Sequence, residues 1–178
     1  MLDLHVPDVQ HGLLAVLARE WPFYAAYVVS FGTTGIIWLN HHAFFDRLRR
    51  VDRPLLVLNL LLLMSVSLLP FPTGVIARYL EHPDGAAAAA VYCANMAVMG
   101  LLFGALALYA ARRPGLLTAD AARAIDGRWL ARFGVGGPLY AAAAGLALLD
   151  ARISLVVCAV LAAYYAVLPA PGRTRHEE

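Results

Sequence analysis

Five long apolar blocks, separated by short links that carry most of the arginines, constrain this chain more than any other feature. A transmembrane helix needs about 20 mostly apolar residues, and each block approaches or exceeds that length. The blocks are Phe23–Phe45, Pro54–Ile76, Ala86–Ala111, Leu130–Leu149 and Ile153–Leu168. We therefore predict an all-α integral membrane protein with five transmembrane helices in a domain that covers residues 23–168.

The composition excludes several other classes of protein. Of the 178 residues, 61% are hydrophobic and 15% are charged, whereas a soluble domain carries about 25% charged residues. A soluble globular enzyme, a disordered chain and a disulfide scaffold are therefore excluded. The net charge of +2 is too small to indicate a nucleic-acid partner. The sequence contains no nucleotide-binding glycine loop, nucleophile elbow or paired catalytic carboxylates, so we predict no enzymatic activity and no cofactor.

Small and sulfur-containing residues inside the blocks indicate packing rather than chemistry. Cys93 and Cys158 both lie in apolar blocks, and we interpret them as reduced core residues because two isolated thiols match no metal-binding or redox motif. Gly100 and Gly104 form a Gly-x-x-x-Gly pair on the third block, which is suited to close helix contact.

The links between the blocks predict the orientation in the membrane. The links at 46–53 and 112–129 each contain four arginines, whereas those at 77–85 and 150–152 each contain one. Cytoplasmic loops of membrane proteins carry an excess of basic residues. We therefore assign the two arginine-rich links and the tail at 169–178 to the cytoplasm.

This orientation leaves residues 1–22 outside the cytoplasm, as an extracytoplasmic segment. The segment has no basic start and no apolar core followed by a cleavage site, so it is not a signal peptide. Its opening, Leu2-Asp3-Leu4-His5-Val6-Pro7, is followed by only a short apolar stretch. We therefore expect a further helix ahead of Met1, which would return the N-terminus to the cytoplasm.

The most informative polar residues lie near the cytoplasmic end of the first block, in the run Trp38-Leu39-Asn40-His41-His42. Polar groups inside a bilayer are costly and usually face a protein interior, a partner or a water path. His41 and Asn59 each lie one to two helical turns from the same hairpin. They therefore lie at a similar depth, where their side chains could meet across the two helices. An alternative is that Asn40, His41 and His42 reach for lipid headgroups or assist helix packing. A haem or zinc site is disfavoured, because adjacent histidines on a helix point about 100° apart and do not easily share one metal, and no other histidine lies within an apolar block.

Several pieces of the chain together resemble the prokaryotic branch of the transmembrane protein 175 potassium-channel family. These pieces are Trp38-Leu39-Asn40-His41-His42, Arg49-Arg50-Val51-Asp52-Arg53, Leu58-Asn59-Leu60-Leu61-Leu62-Leu63 and Leu69-Pro70-Phe71-Pro72-Thr73. The resemblance covers about Leu2–Tyr79, whereas the later blocks fit the family in hydropathy and count. It implies six helices per repeat and a homotetramer around a central pore. In the family the first helix lines the pore and carries a Phe-Ser-Asp signature, which this sequence lacks.

The resemblance also implies roles for individual residues. Asn40, His41 and Asn59 would brace the pore helix, with Trp38 packing beside them, and the pore-lining residues would lie on the expected helix ahead of Met1. The implied function is that of a potassium-selective channel subunit in the lipid bilayer of the cell membrane. Ions would flow passively past an apolar constriction. A non-conducting remnant or assembly partner of such a channel is the alternative. A proton-coupled transporter using His41 or His42 is disfavoured, because the apolar blocks hold no carboxylates.

Overall fold

The computed structural model of the protein describes residues 21–113, 115–124 and 127–167. Within these ranges the structure is all-helical, as predicted, apart from turns and one isolated bridge between Leu48 and Leu117. The predicted segment at 1–22 lies outside the described residues except for its last two positions, and the predicted tail at 169–178 lies wholly outside them. The helices are α1 (Trp21–Phe45), α2 (Arg53–Leu68), α3 (Pro70–Tyr79), α4 (Gly85–Arg112), α5 (Ala119–Ala124), α6 (Gly127–Gly134), α7 (Gly136–Ala147) and α8 (Ala151–Val167).

Prolines divide two of the predicted blocks into pairs of helices. The second block is interrupted at Leu69, between α2 and α3. Pro70 has no N–H for the Val66 carbonyl, and the Leu69 N–H bonds that carbonyl instead, at 3.1 Å. The fourth block is interrupted between α6 and α7, where Pro138 likewise offers no donor to the residue four positions earlier. The backbone nevertheless stays helical at the interruption itself, where Val135 has φ and ψ values of −75° and −27°.

Helix α4 forms the centre of the bundle and packs against α2, α3, α6, α7 and α8. Half of its twelve buried residues are glycine or alanine, which lets neighbouring backbones approach closely. The closest approach is to α7, where a Cβ atom on Gly100 would lie 2.5 Å from the Gly137 nitrogen. A Cβ atom on Gly104 would lie 3.2 Å from the Gly134 Cα. The Gly-x-x-x-Gly pair therefore serves packing within one chain.

Two segments of the described chain are long and apolar enough to cross a membrane. They are Arg53–Tyr79, which joins α2 and α3 over 27 residues, and Gly85–Arg112, which is α4 with 28 residues. Helix α8 is apolar but shorter, at 17 residues. The outer faces are apolar too, with Phe31 69% and Leu60 66% exposed. Such continuous apolar surface is typical of contact with lipid or another subunit, and the count of five membrane helices stays a prediction.

The two arginine-rich links meet at one end of the bundle. The Arg49 N–H donates to the Leu116 carbonyl at 2.7 Å, and the Thr118 N–H donates to the Arg47 carbonyl at 2.9 Å. The Thr118 hydroxyl oxygen also accepts from the Ala121 N–H at 3.3 Å, as the N-cap of α5. At the other turns of the chain, Glu81 in the link between α3 and α4 forms an ion pair of 3.0 Å with Arg152 in the first turn of α8.

Candidate functional site

A polar contact joins α1 and α2 close to their shared hairpin. His41 Nε2 lies 2.7 Å from Asn59 Oδ1, so the ring nitrogen donates and the amide oxygen accepts. The His41 ring also stacks on Phe45, one turn later, with a centroid distance of 4.3 Å, and meets the edge of Phe103 on α4 at 6.3 Å. The structure thus brings together two of the predicted site residues and orients the histidine through aromatic packing on α1 and α4.

Asn40 makes a second polar junction on a different face of α1. Its side-chain nitrogen donates to the Ile36 carbonyl at 2.8 Å and to the Tyr165 carbonyl on α8 at 3.1 Å. Its side-chain oxygen accepts from Arg132 Nη2 on α6 at 3.2 Å. The Tyr165 hydroxyl completes this hydrogen-bond network by donating to the Arg132 carbonyl at 3.1 Å. Asn40 therefore connects three helices, α1, α6 and α8. It lies on a different face of α1 from His41, because adjacent helical residues point about 100° apart.

Trp38 occupies a third, outward face of α1. Its side chain is 59% exposed, and its ring stacks on His42, one turn later, at 5.3 Å with the planes 3° apart. Residues four positions apart share a helix face, which explains the pairing with His42. The structure therefore separates Trp38 from the polar contacts of Asn40 and His41, and leaves its ring available for a neighbouring helix.

The hairpin between α1 and α2 is tied to the end of α4 by Asp52. One carboxylate oxygen caps α2 by accepting from the Leu55 N–H at 3.1 Å, and the other accepts from the Tyr109 hydroxyl at 2.7 Å. The Tyr109 hydrogen bond, with smaller contributions from the cap and from nearby Arg113, holds the pKa of the Asp52 carboxyl below its usual value. Asp52 thus stays ionised and keeps the start of α2 in register with α4.

Arg132 and Tyr165 belong to the site but were not among the residues predicted from the sequence. Both line a cavity of about 80 Å³ beside Asn40, between α1, α4, α6, α7 and α8. The sequence did carry one signal for Arg132, which is a single arginine inside an otherwise uncharged apolar block. Such charges usually face a protein interior. Arg132 also faces the first hairpin: burial lowers the pKa of Arg47, and repulsion from Arg132 lowers it further.

The site is suited to holding helices rather than to bond-making chemistry. In the described part of the chain, no group of three or more histidine, cysteine, aspartate or glutamate side chains could hold a metal ion. The cavity beside Asn40 is lined largely by apolar residues, with polar groups from Thr33, Arg132 and Tyr165 among them. Hydrogen bonds at Asn40, His41 and Asn59 connect α1 to α2, α6 and α8 at the arginine-rich end.

Comparison with known proteins identifies the family. The family described as "Endosomal/lysosomal potassium channel TMEM175" matches residues 1–70. A potassium channel of Streptomyces collinus is 42% identical over 182 aligned residues, which cover 98% of this chain and 86% of that protein. The chain belongs to the TMEM175 family. A second TMEM175-family relative, a potassium channel of Chamaesiphon minutus, is 37% identical over 94% of this chain and 84% of its own length.

A solved structure supports the same assignment. The crystal structure of a lysosomal potassium-selective channel TMEM175 homologue from Chamaesiphon minutus matches with a TM-score of 0.76 and 33% identity. The match covers 93% of this chain and 85% of that one. The all-helical fold of this TMEM175-family chain is therefore that of a channel subunit, and these relatives are ion channels rather than enzymes, as predicted.

Animal members of the TMEM175 family match a shorter region. The Bos taurus protein named endosomal/lysosomal proton channel TMEM175 is 34% identical over 44% of this chain and 18% of its own length. The resemblance seen in the sequence is thus confirmed at the family level, whereas the roles of Trp38, Asn40, His41 and Asn59 stay predictions.

Proposed function

We propose that this protein is a subunit of a potassium-selective channel that passes ions passively through a pore at the centre of a homotetramer in the cell membrane. The observation that carries the proposal is the 42% identity to the Streptomyces collinus potassium channel over nearly the whole chain. The fold match to a potassium-selective channel at a TM-score of 0.76 supports it. Potassium is the permeant ion, and the mechanism needs no cofactor.

The proposed topology has the five membrane helices that are predicted within residues 23–168, with the C-terminus in the cytoplasm. The meeting of the links at 46–53 and 112–129 at one end of the bundle supports it, because basic loops collect on the cytoplasmic side. The apolar outer surface of α1 and α2 supports burial in lipid or against other subunits. The ion pair between Arg152 and Glu81 then lies outside the cytoplasm.

The proposed role of Asn40, His41 and Asn59 is to hold the cytoplasmic ends of α1, α2, α6 and α8 in one arrangement. An apolar constriction selects by how partly dehydrated ions pass a narrow neck, so small helix displacements alter conduction. The hydrogen bonds of 2.7 Å at His41 and 3.2 Å at Asn40 support this bracing role. The exposed ring of Trp38 would then pack against a pore-lining helix of the assembly.

A flux measurement tests the proposed function. The protein would be reconstituted into liposomes loaded with potassium and diluted into sodium or caesium. We expect valinomycin-independent potassium efflux that greatly exceeds sodium flux, and protein-free liposomes are the control. Absence of efflux from correctly folded tetramer would contradict the proposal and favour a non-conducting assembly partner.

The same liposomes distinguish a second function, proton conduction. The observation that favours it is the match to animal relatives that are named proton channels. With a pH-sensitive dye inside the vesicles and the membrane potential clamped, a potassium-selective channel leaves the internal pH nearly unchanged. Rapid acidification at a rate comparable to potassium efflux would instead assign proton conduction and overturn potassium selectivity.

A double-mutant cycle tests the bracing contact between His41 and Asn59. His41→Phe keeps the stacking on Phe45 and leaves the Asn59 amide unpaired, whereas Asn59→Leu leaves His41 unpaired. Each single change is expected to destabilise the protein by about 1–3 kcal/mol, because a partly buried polar group loses its partner. The double variant is expected to recover about 1 kcal/mol relative to the sum. Thermal unfolding and potassium efflux are measured on all four proteins, and strictly additive effects on both would remove the bracing role.

A further inference from the structure

The two cysteines, which lie 65 positions apart in the sequence, meet inside the bundle. Cys93 on α4 and Cys158 on α8 have their sulfur atoms 2.8 Å apart as free thiols. Cys93 is completely buried and Cys158 is 3% exposed. Ser154, one turn before Cys158 on α8, is also completely buried, and its hydroxyl oxygen lies 3.2 Å from the Cys93 sulfur. The sequence predicts two separate core cysteines, whereas the structure places their sulfur atoms in contact.

The hydrogen-bond directions in this cluster follow from counting donors. The Ser154 hydroxyl has one hydrogen, which it donates to the Ala143 carbonyl on α7 at 2.7 Å. At the 3.2 Å contact, therefore, the Cys93 thiol donates to the Ser154 oxygen. Since the only hydrogen of Cys93 is used there, the Cys158 thiol donates to the Cys93 sulfur at 2.8 Å. The chain runs in one direction, from Cys158 through Cys93 and Ser154 to Ala143.

We propose that Cys93 and Cys158 are a reversible disulfide-forming site that responds to small hydroperoxides and links α4 to α8. The contact between the sulfur atoms places the two thiols where one can attack the other without a rearrangement of the helices. Burial keeps bulky thiols and protein oxidants away, which leaves a small, neutral oxidant such as hydrogen peroxide as the fitting reactant. The inference does not depend on ion conduction.

The chemistry proceeds in two balanced steps. The sulfur of Cys93, which receives the hydrogen bond from Cys158, attacks one peroxide oxygen. The O–O bond breaks, the leaving hydroxide takes the Cys93 proton and departs as water, and a Cys93 sulfenic acid remains. The Cys158 sulfur then attacks the Cys93 sulfur, and the S–S bond forms as the S–O bond breaks. The hydroxyl group leaves with the Cys158 proton as a second water. Two thiols lose two electrons in total, and one peroxide is reduced to two waters.

The test uses the whole protein in lipid nanodiscs, reduced and then treated with graded hydrogen peroxide. We expect the maleimide-reactive thiols, counted after unfolding in detergent, to fall from both to neither in a single step. The intact mass is expected to decrease by two hydrogen atoms, and dithiothreitol, added after the protein is unfolded in detergent, is expected to restore both thiols. Peptide mapping under non-reducing conditions should recover Cys93 and Cys158 in one cross-linked peptide pair.

The Cys158→Ser variant is the matched control, because serine keeps the small polar side chain and removes the second sulfur. Its Cys93 should gain oxygen atoms under peroxide and show no mass decrease. Three results on the wild-type protein would each overturn the proposal. They are thiols that stay reactive under conditions that fully oxidise glutathione, gain of oxygen at either cysteine without a cross-link, and a disulfide between two chains.

Discussion

Replacement of Gly100 by alanine is expected to lower the thermal stability of the protein more than any other single-methyl addition along α4. The added Cβ atom would lie 2.5 Å from the Gly137 nitrogen, 2.8 Å from the Gly137 Cα and 2.9 Å from the Gly136 carbonyl carbon. All three atoms belong to the α7 backbone and cannot turn aside as a side chain can. The helices must therefore separate, and we expect a loss of about 1–3 kcal/mol, the usual cost of overpacking, or more.

The matched control for this change is Gly145→Ala on α7. Gly145 is exposed, and a Cβ atom there would meet nothing within 4 Å. Because alanine favours the helix more than glycine does, this variant should be as stable as the parent or gain up to about 1 kcal/mol. Thermal unfolding in one detergent, followed by intrinsic fluorescence, compares the three proteins. Equal melting temperatures for both variants would show that α4 and α7 do not make this close contact.

Replacement of Asn40 by leucine is expected to produce the second large effect, on stability and conduction together. The change removes the acceptor of Arg132 Nη2 and the donor to the Tyr165 carbonyl, both partly buried. Loss of hydrogen-bond partners in such a setting costs about 1–3 kcal/mol, more where a charged group is involved. If Asn40 braces the helices around it, potassium efflux from reconstituted liposomes should fall beyond what the loss of folded protein explains.

Two further variants make the Asn40 prediction specific. Asn40→Asp keeps an acceptor for Arg132 and loses the donated hydrogen bonds, so it should recover part of the stability that leucine loses. His42→Ala changes a neighbouring side chain that lies on the outward face with Trp38, and it should leave the melting temperature nearly unchanged. A melting temperature for Asn40→Leu equal to that of His42→Ala would contradict the three-helix junction.

The contact between His41 and Asn59 could be predicted from the sequence. The positions of His41 and Asn59, counted from a shared hairpin, indicated that they could meet, and they lie 2.7 Å apart. This reasoning worked because one short link holds α1 and α2 antiparallel, so that distance from the hairpin sets depth. Depth does not determine helix face, so such counting makes no prediction for Trp38, whose side chain points outward and stacks on His42.

Contacts between distant helices were beyond the reach of such counting. Gly100 and Gly104 indicated close helix contacts, but only the structure assigned the contact of Gly100 to α7 and that of Gly104 to the end of α6. In the sequence Arg132 is a single charge in an apolar block, and only the structure shows that it donates a hydrogen bond to Asn40. Cys93 and Cys158 matched no motif in the sequence, although their sulfur atoms are neighbours in space.

The sequence by itself determined that the protein is helical and apolar, and to which family it belongs. Long uncharged blocks require helices, because only internal hydrogen bonds satisfy the backbone in an apolar environment. Apart from His41 and Asn59, which are joined by one hairpin, the side chains that meet were decided by the tertiary structure. Each helix could rotate about its axis without changing the hydropathy of its block, so the packing of each helix against its neighbours selects one rotation. That selection brought Asn40 to Arg132, Gly100 to Gly137 and Cys93 to Cys158.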